Sequence, residues 1–226
     1  MTDMNKTPTL TDAELAPAGL PVLSEDDVAT VTGIVSIGAS WDPSSRSRGG
    51  VLGSWSRKSG ADLDVAAVLF QDGEPVTLCL GLDESLKNPL HGQPGDGSVV
   101  HSGDNTTGDG EGDDETVTVD LGKIPVEFHK IVVMVAAFKK SNKLKGDAGF
   151  QGANNVLFTV YDGTGPGAEK QFCIRPSLLG TENCVIIAIL DRVGNTTTFE
   201  MRKKKARVKV EHGNQAALIQ AASRAG

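Results

Sequence analysis

The chain has 226 residues, 38% of them hydrophobic, and a formal net charge of −7 at pH 7. This hydrophobic content is enough for a core, which excludes a globally disordered chain. The longest apolar runs, residues 131–138 and 184–190, are too short to cross a bilayer, and no hydrophobic region follows Met1. The three cysteines form no CxxC pair and lie among apolar neighbours, so we expect reduced core residues in a cytoplasmic protein without a membrane partner.

In chain order, the first feature is a polar N-terminal segment. Residues 1–30 contain three prolines and have no sustained periodicity, so we predict an extended arm at residues 1–32. Short β-forming runs separated by turn residues follow, which predicts an all-β domain over residues 33–226 with the strand spacing of a two-sheet β-sandwich. Residues 44–60, which are rich in Ser, Gly and Arg, interrupt this pattern and are expected to form a loop.

Three segments of the predicted domain have more specific patterns. Ile131 to Phe138 is continuously apolar, as expected of a strand that is buried on both faces. In the basic run from Arg202 to Lys209 the apolar alternation changes parity, which predicts a turn or bulge at the lysines. Gln215 to Ser223 has helical character with Asn214 as its N-cap, so a short C-terminal helix completes the predicted fold.

The negative charge is concentrated between Asn88 and Gly122, where there are eight acidic residues and no Lys or Arg. Six of the eight lie in the glycine-rich stretch from Gly103 to Glu115. Ca²⁺ and Mg²⁺ bind carboxylate oxygens and backbone carbonyls, and glycine lets the carbonyls turn toward an ion. A solvated hairpin tip is the alternative for such a stretch by itself. Asp62-Leu63-Asp64 adds a second acidic pair, and because residues i and i+2 of an extended segment point to the same side, both carboxylates could meet one ion.

Together these motifs resemble the TerD family of bacterial tellurite-resistance and stress-response proteins. The resemblance rests on a strand that ends in Trp41-Asp42, on the Asp62-Leu63-Asp64 motif that opens an apolar strand, and on a signature that runs from Gly97 to Glu115. In this chain the signature reads GSVVHSGDNTTGDGEGDDE. The strand at Ile131 and residues 150–154 also occupy the positions of later family motifs, so that the resemblance covers roughly residues 33 to 222.

The resemblance implies a TerD-type β-sandwich whose acidic loops bind Ca²⁺. It implies ligands from the WD dipeptide, the DLD motif and the loop signature, namely Asp42, Asp62, Asp64, Asp104, Asn105, Asp113, Asp114 and Glu115. The function expected from it is that of a non-enzymatic Ca²⁺-binding protein of the tellurite-resistance and stress-response type, which acts through Ca²⁺-stabilised loops and protein–protein contacts. His101 is expected to pack beside the acidic loop.

The arm at residues 1–32 leaves a second function open, because the usual single-domain members of the family have no counterpart to it. It predicts protein partners, or self-assembly, through the arm. The alternative function is therefore a structural subunit of a phage particle or of another large assembly, which would place the protein in a virion. The four histidines lack ligand spacing and no GxSxG motif is present, so no enzyme is predicted. The basic run has no interleaved aromatic residues, so nucleic acid is not an expected partner.

Overall fold

The structure is a computed structural model, and it describes residues 19–43, 62–81, 96–105, 112–138, 150, 153–176, 182–210 and 214–225. Residues 1–18 of the predicted arm and the predicted loop at residues 44–60 lie outside the described residues. Within the described ranges the elements are β1 (Val28–Val31), β2 (Ile34–Pro43), β3 (Asp62–Gln71), β4 (Glu74–Leu80), β5 (Val99–His101), β6 (Glu115–Asp120), β7 (Phe128–Phe138), β8 (Ala153–Asp162), β9 (Glu169–Ile174), β10 (Cys184–Arg192), β11 (Phe199–Val208) and the helix α1 (Gln215–Ser223).

The strands form two antiparallel sheets that pack face to face. One sheet has six strands in the order β1-β11-β10-β7-β3-β4, and the other has five in the order β5-β6-β2-β8-β9. Alternate side chains of each strand point into the space between the sheets, so that Val35, Ile37 and Ala39 of β2 are buried in the shared core. The predicted all-β, two-sheet sandwich is confirmed. The short C-terminal helix is confirmed as well, and its N-cap Asn214 accepts a hydrogen bond from the Ala217 N–H at 3.2 Å.

The central strands of the six-stranded sheet are buried on both faces. In β7, Ile131 and Val133 belong to the core between the sheets, whereas Val132 and Met134 belong to a second apolar cluster on the outer face. Helix α1 contributes to this second cluster, where its Leu218 is fully buried. The continuously apolar run is therefore explained as predicted. Among the described residues, no helix is both long and apolar enough to cross a membrane.

The basic run in β11 contains the predicted irregularity. Ala188 pairs with Lys203 and Ile186 pairs with Ala206, so that β11 has one more residue than β10 between these two pairs. Before this bulge Phe199 faces the core between the sheets, and after it Ala206 packs against the outer cluster that α1 covers. The bulge thus lets one strand supply apolar side chains to both cores, and it leaves the intervening Lys204 exposed.

The boundary predicted at residue 32 is corrected by the structure, because residues 21–31 are part of the sandwich. The Leu23 N–H donates to the Cys173 carbonyl and the Cys173 N–H donates to the Pro21 carbonyl, each at 2.8 Å, at the edge of β9. Strand β1 then pairs with the edge of β11 from Val28↔Arg202 onward. Both attachments use backbone groups at sheet edges, which exist only in the folded protein and leave no pattern in the sequence.

Candidate metal centre

The predicted acidic residues converge at the end of the sandwich where β3 and β6 begin and β4 and β5 end. The ladder between β3 and β4 stops at the pair Ala66↔Leu80. Beyond it, the backbone of Val65 is bonded by two side chains from the five-stranded sheet. Its N–H donates to Oε2 of Glu115 at 2.9 Å, and its carbonyl lies 3.0 Å from Nε2 of His101. A carboxylate and an imidazole therefore replace the missing neighbour strand and join the two sheets at this edge.

Three carboxylates form a cluster at this edge, which we call the acidic cluster: Asp64, Asp104 and Glu115. One oxygen from each lies within 4.8 Å of the others. Asp64 and Glu115 are fully buried, whereas Asp104 is exposed, so the cluster is closed toward the core and open toward solvent. Both carboxylate oxygens of Asp64 are buried and have no hydrogen-bond partner among the described residues.

The electrostatics of the acidic cluster are unfavourable without a positive charge. Burial raises the pKa of Asp64 to about 9, and the negative charges of Glu115, Asp62 and Asp104 add to the effect. Leaving a buried acceptor without a partner costs about 1–3 kcal/mol, and more for a charged group. The fold thus carries a local energetic cost at Asp64 that its own described side chains do not offset.

His101 packs beside the acidic loop, as expected, and its two ring nitrogens are both occupied by backbone groups. Nδ1 accepts the Gly103 N–H at 2.9 Å, so the ring proton of the neutral imidazole is on Nε2, which donates to the Val65 carbonyl. Neither nitrogen is left to bind a metal. The ring is also held by Gly81, where an added Cβ would lie 2.6 Å from Cε1 of His101. His101 therefore fixes the start of the loop against β3.

Asn105 and Asp114 surround the acidic cluster through hydrogen bonds. The Asn105 N–H donates to Oε1 of Glu115 at 3.0 Å, and its side-chain amide donates to Oδ1 of Asp114 at 3.1 Å. Oδ2 of Asp114 accepts the Trp41 N–H at 3.0 Å, and burial raises the pKa of Asp114. Asp114 thus bonds Asn105 through one oxygen and the backbone of β2 through the other. Each carboxylate oxygen has a second lone pair, so Glu115 can accept these bonds and still bind a cation.

The structure therefore separates the eight predicted ligands by position. Asp64, Asp104 and Glu115 come together, Asp62 is near enough for its charge to act on Asp64, and Asn105 and Asp114 are bonded around the cluster. Two predicted ligands are directed to other partners: Oδ2 of Asp42 accepts from the Asn155 amide at 2.8 Å, and Oδ2 of Asp113 accepts from the Tyr161 hydroxyl at 2.6 Å.

The partners that sequence reasoning missed are Asn155, Tyr161 and the backbone of Val65. Asn155 and Tyr161 lie on β8, 40 and 46 residues after Glu115, and no local pattern links them to the acidic loop. Asn155 has a positive φ of 52°, which Asn adopts more readily than most residues. This angle is seen only in the structure, so the sequence offered no signal for the contact. These contacts follow from the placement of β8 beside β2.

The comparisons with known proteins agree with this fold. The family model described as the TerD domain matches residues 25–205, which include β1. The stress response protein SCP2 of Bacillus subtilis is 31% identical over 166 residues, which cover 72% of this chain and 78% of that protein. The tellurium resistance protein TerZ of Serratia marcescens is 31% identical over 128 residues, which cover 57% of this chain and 58% of TerZ, a little over half its length.

A solved structure adds a likeness of fold. It is that of a homologue of the telluride resistance protein TerD from Streptomyces coelicolor, with a TM-score of 0.61 and 18% identity, over 87% of this chain and 99% of that one. At this identity the likeness concerns the fold alone. The match to the family model covers most of the chain and includes the strands that carry the acidic cluster. The chain belongs to the TerD domain family, together with proteins named for tellurium resistance and stress response.

Proposed function

We propose that the protein binds Ca²⁺ at the acidic cluster. It acts as a tellurite-resistance or stress-response protein without catalysing a reaction. It does so through the loops that the ion stabilises and through their contacts with protein partners. The observation that carries the proposal is Asp64: a fully buried carboxylate with two unpartnered oxygens, adjacent to Asp104 and Glu115. A buried carboxylate is stable only with a compensating partner, and a cation is the partner that three converging carboxylates attract.

The donor set supports a hard cation. Asp64, Asp104 and Glu115 offer oxygen only, and the imidazole of His101, the one that the described part of the site contains, has both nitrogens in hydrogen bonds to the backbone. Zn²⁺ and the softer metals favour nitrogen and sulfur, whereas Ca²⁺ takes six to eight oxygen ligands in a flexible arrangement. The solvent exposure of Asp104 leaves room for water molecules to complete such a shell.

The residues around the cluster are arranged so that the ion would join separate parts of the fold. Asp64 is on β3 of the six-stranded sheet, Glu115 begins β6 of the five-stranded sheet, and Asp104 is in the loop that follows β5. The ion supplies positive charge that offsets the repulsion among these carboxylates. A ligand that binds the native state alone stabilises it by RT ln(1 + [L]/Kd), so Ca²⁺ should order the loop and raise the stability of the domain together.

Isothermal titration calorimetry on chelator-treated protein tests the proposal. The parental protein should take up Ca²⁺, and Asp64→Asn should not, because the substitution keeps the size of the side chain and removes its charge. Asp72→Asn is the matched control: it is the same change, at the exposed turn that ends β3 at the far side of the sandwich, where φ is 52° and Asn is tolerated. No heat of binding and no change in melting temperature on adding Ca²⁺ to the parental protein would refute the proposal.

The alternative function, a structural subunit of a phage particle or other large assembly, gains no support from the relatives. Their names refer to tellurium resistance and stress response. Residues 21–31, which were part of the predicted arm, belong to the sandwich instead.

A further inference from the structure

We infer that Asp113 is a positioning residue and not a metal ligand. By bonding Tyr161 on the outer face of the five-stranded sheet, it holds the turn at residues 112–114, which directly precedes β6 and positions Glu115 in the acidic cluster. The inference rests on the proposed function, and it divides the acidic triplet Asp113-Asp114-Glu115 into three roles. Glu115 faces the cluster, Asp114 ties the turn to the backbone of β2, and Asp113 anchors the turn on the opposite side of the sheet.

The direction of the Asp113 side chain follows from its partner. On β8, Phe158 and Val160 belong to the core between the sheets, so Tyr161 points to the outer face. Its hydroxyl donates to Oδ2 of Asp113 at 2.6 Å, a short bond of the kind made to an ionised acceptor. Glu115, in contrast, continues the inward series of Val117 on β6. The Asp113 and Glu115 carboxylates therefore lie on opposite faces of the same sheet.

Gly38 makes this anchor sterically possible. It lies on β2, where it pairs with Thr116 of β6 on one side and Thr159 of β8 on the other. A Cβ added to Gly38 would lie 1.8 Å from Oδ2 of Asp113, a distance that real atoms do not tolerate. The Asp113 carboxylate thus rests directly on the backbone of β2, in a space that any side chain at position 38 would fill.

The turn is fixed to β2 by two further bonds next to the anchor. The Asp114 N–H donates to the Ala39 carbonyl at 2.7 Å, and Oδ2 of Asp114 accepts the Trp41 N–H at 3.0 Å. The Asp113 carboxylate thus already has a hydrogen-bond donor in the Tyr161 hydroxyl, which is the situation of an anchor. Asp64 is in the opposite situation, because its two oxygens have no partner among the described residues.

A double-mutant cycle separates a positioning residue from a ligand. Partners that orient metal ligands typically change affinity by about 10–100-fold when they are removed. We expect Tyr161→Phe and Asp113→Asn each to weaken Ca²⁺ binding about tenfold, and the double variant to be no weaker than either single one, because both break the same anchor. If Asp113 were a ligand, Asp113→Asn would remove a charged ligand and weaken binding far more than Tyr161→Phe, which would only disturb its orientation, and such unequal effects would overturn the inference.

Ser36→Ala is the matched structural control. Ser36 is buried on the same outer face of β2, and its hydroxyl bonds the Thr118 hydroxyl at 2.8 Å, the Gly163 carbonyl at 2.7 Å and the Gly165 N–H at 2.8 Å. Its loss should lower the stability of the domain without changing the Ca²⁺ affinity. Equal weakening of Ca²⁺ binding in Ser36→Ala and Tyr161→Phe would assign the effect to general destabilisation and overturn the inference.

Amide exchange in the presence of chelator tests the anchor independently of the ion. The Asp114 N–H, bonded to the Ala39 carbonyl, should be protected in the parental protein and should exchange faster in Tyr161→Phe and Asp113→Asn. Exchange at the parental rate in both variants would overturn the anchor. The parental protein could take up no Ca²⁺ while both variants still lose protection of the Asp114 N–H. That result would refute the proposed function and the metal role of the triplet, and it would leave Asp113 as an anchor of the fold alone.

Discussion

Each end of the sandwich holds an ionisable side chain within the fold. The surroundings of these two side chains differ in whether they supply hydrogen-bond partners or opposite charge. At the end where β10 stops, Arg192 donates to three carbonyl oxygens of the segment 124–128 at 2.9 to 3.0 Å. Its guanidinium carbon also lies 4.5 Å from the centroid of the Phe199 ring. At the other end, the buried carboxylate of Asp64 has no hydrogen-bond partner among the described residues and is next to two more carboxylates.

This difference indicates what each end is for. A charge that backbone carbonyls satisfy, as at Arg192, stabilises the fold and requires nothing from outside. A buried carboxyl group that the fold surrounds with negative charges, as at Asp64, destabilises the isolated chain whether it is charged or has to take up a proton, and such a site is typical of one where an external partner offsets the cost. The contrast therefore supports a structural role for one end and a binding role for the other, and four predictions test it.

The largest effect is expected for Asp64→Asn. At a free Ca²⁺ concentration about a hundred times the Kd, bound ion adds about 2.7 kcal/mol to the free energy of unfolding, and the variant should lose this amount. In chelator the order should reverse, because the raised pKa of Asp64 means that the folded protein must protonate this carboxyl or bury its charge beside Glu115 and Asp104, and asparagine carries neither cost. Urea unfolding in Ca²⁺ and in chelator measures both. The same loss of stability in the two conditions would assign Asp64 to the fold and remove the contrast.

Arg192→Met, unlike Asp64→Asn, should lower the free energy of unfolding by an amount that does not depend on Ca²⁺. The variant keeps an apolar stem against Phe199 but leaves the carbonyls of segment 124–128 without their donor, so we expect a loss of about 2 kcal/mol, with water replacing part of the bonding because the site is half-buried. The loss should be equal in Ca²⁺ and in chelator. A loss that depends on Ca²⁺ would mean that the two ends are coupled and would contradict their independence.

Gly38→Ala tests whether the contact between Asp113 and Tyr161 supports the acidic cluster, because it displaces the Asp113 carboxylate without changing a polar group. The added methyl group would displace the Asp113 carboxylate, at a cost of about 1–2 kcal/mol in the free energy of unfolding, and the Ca²⁺ affinity should fall with it. Gly167→Ala is the control, because no described atom other than those of its chain neighbours lies within 4 Å of a Cβ added there. Calorimetry and urea unfolding of both variants measure the effects. Unchanged Ca²⁺ affinity in Gly38→Ala would detach the anchor from the binding site.

The smallest effect is expected for a charge that lies in solvent. The backbone N–H of Ser24 donates to Oδ2 of Asp27 at 2.7 Å and lowers the pKa of this fully exposed carboxyl below its ordinary value of 3.8. Because the pKa is lower in the folded state, the ionised group stabilises the fold above about pH 4 and its contribution disappears as the pH falls through the folded pKa. Asp27→Ala should therefore lower the melting temperature slightly at pH 7, and the difference from the parental protein should shrink as the pH falls below about 4. A decrease that does not change with pH would exclude the charge as the cause.

Much of the architecture could be predicted from local patterns, because burial imposes them directly. The continuous apolar run of β7 reflects two buried faces, and the change of parity in β11 reflects its bulge. The placement of residues 21–31 could not be predicted in this way. Their contacts with Cys173 of β9 and Arg202 of β11 use the backbone of sheet edges, and such edges are created only when distant strands have paired.

By itself, the sequence determined the two-sheet class, the concentration of negative charge and the resemblance to the TerD family, because these depend on residue type and on short-range spacing. Only the tertiary structure decided which of the carboxylates converge. Asp113, Asp114 and Glu115 are consecutive, yet they point to Tyr161, to the β2 backbone and to the acidic cluster. The reason is geometric: successive residues at the start of a strand point in different directions, and the partner of each is a side chain or backbone group on another strand.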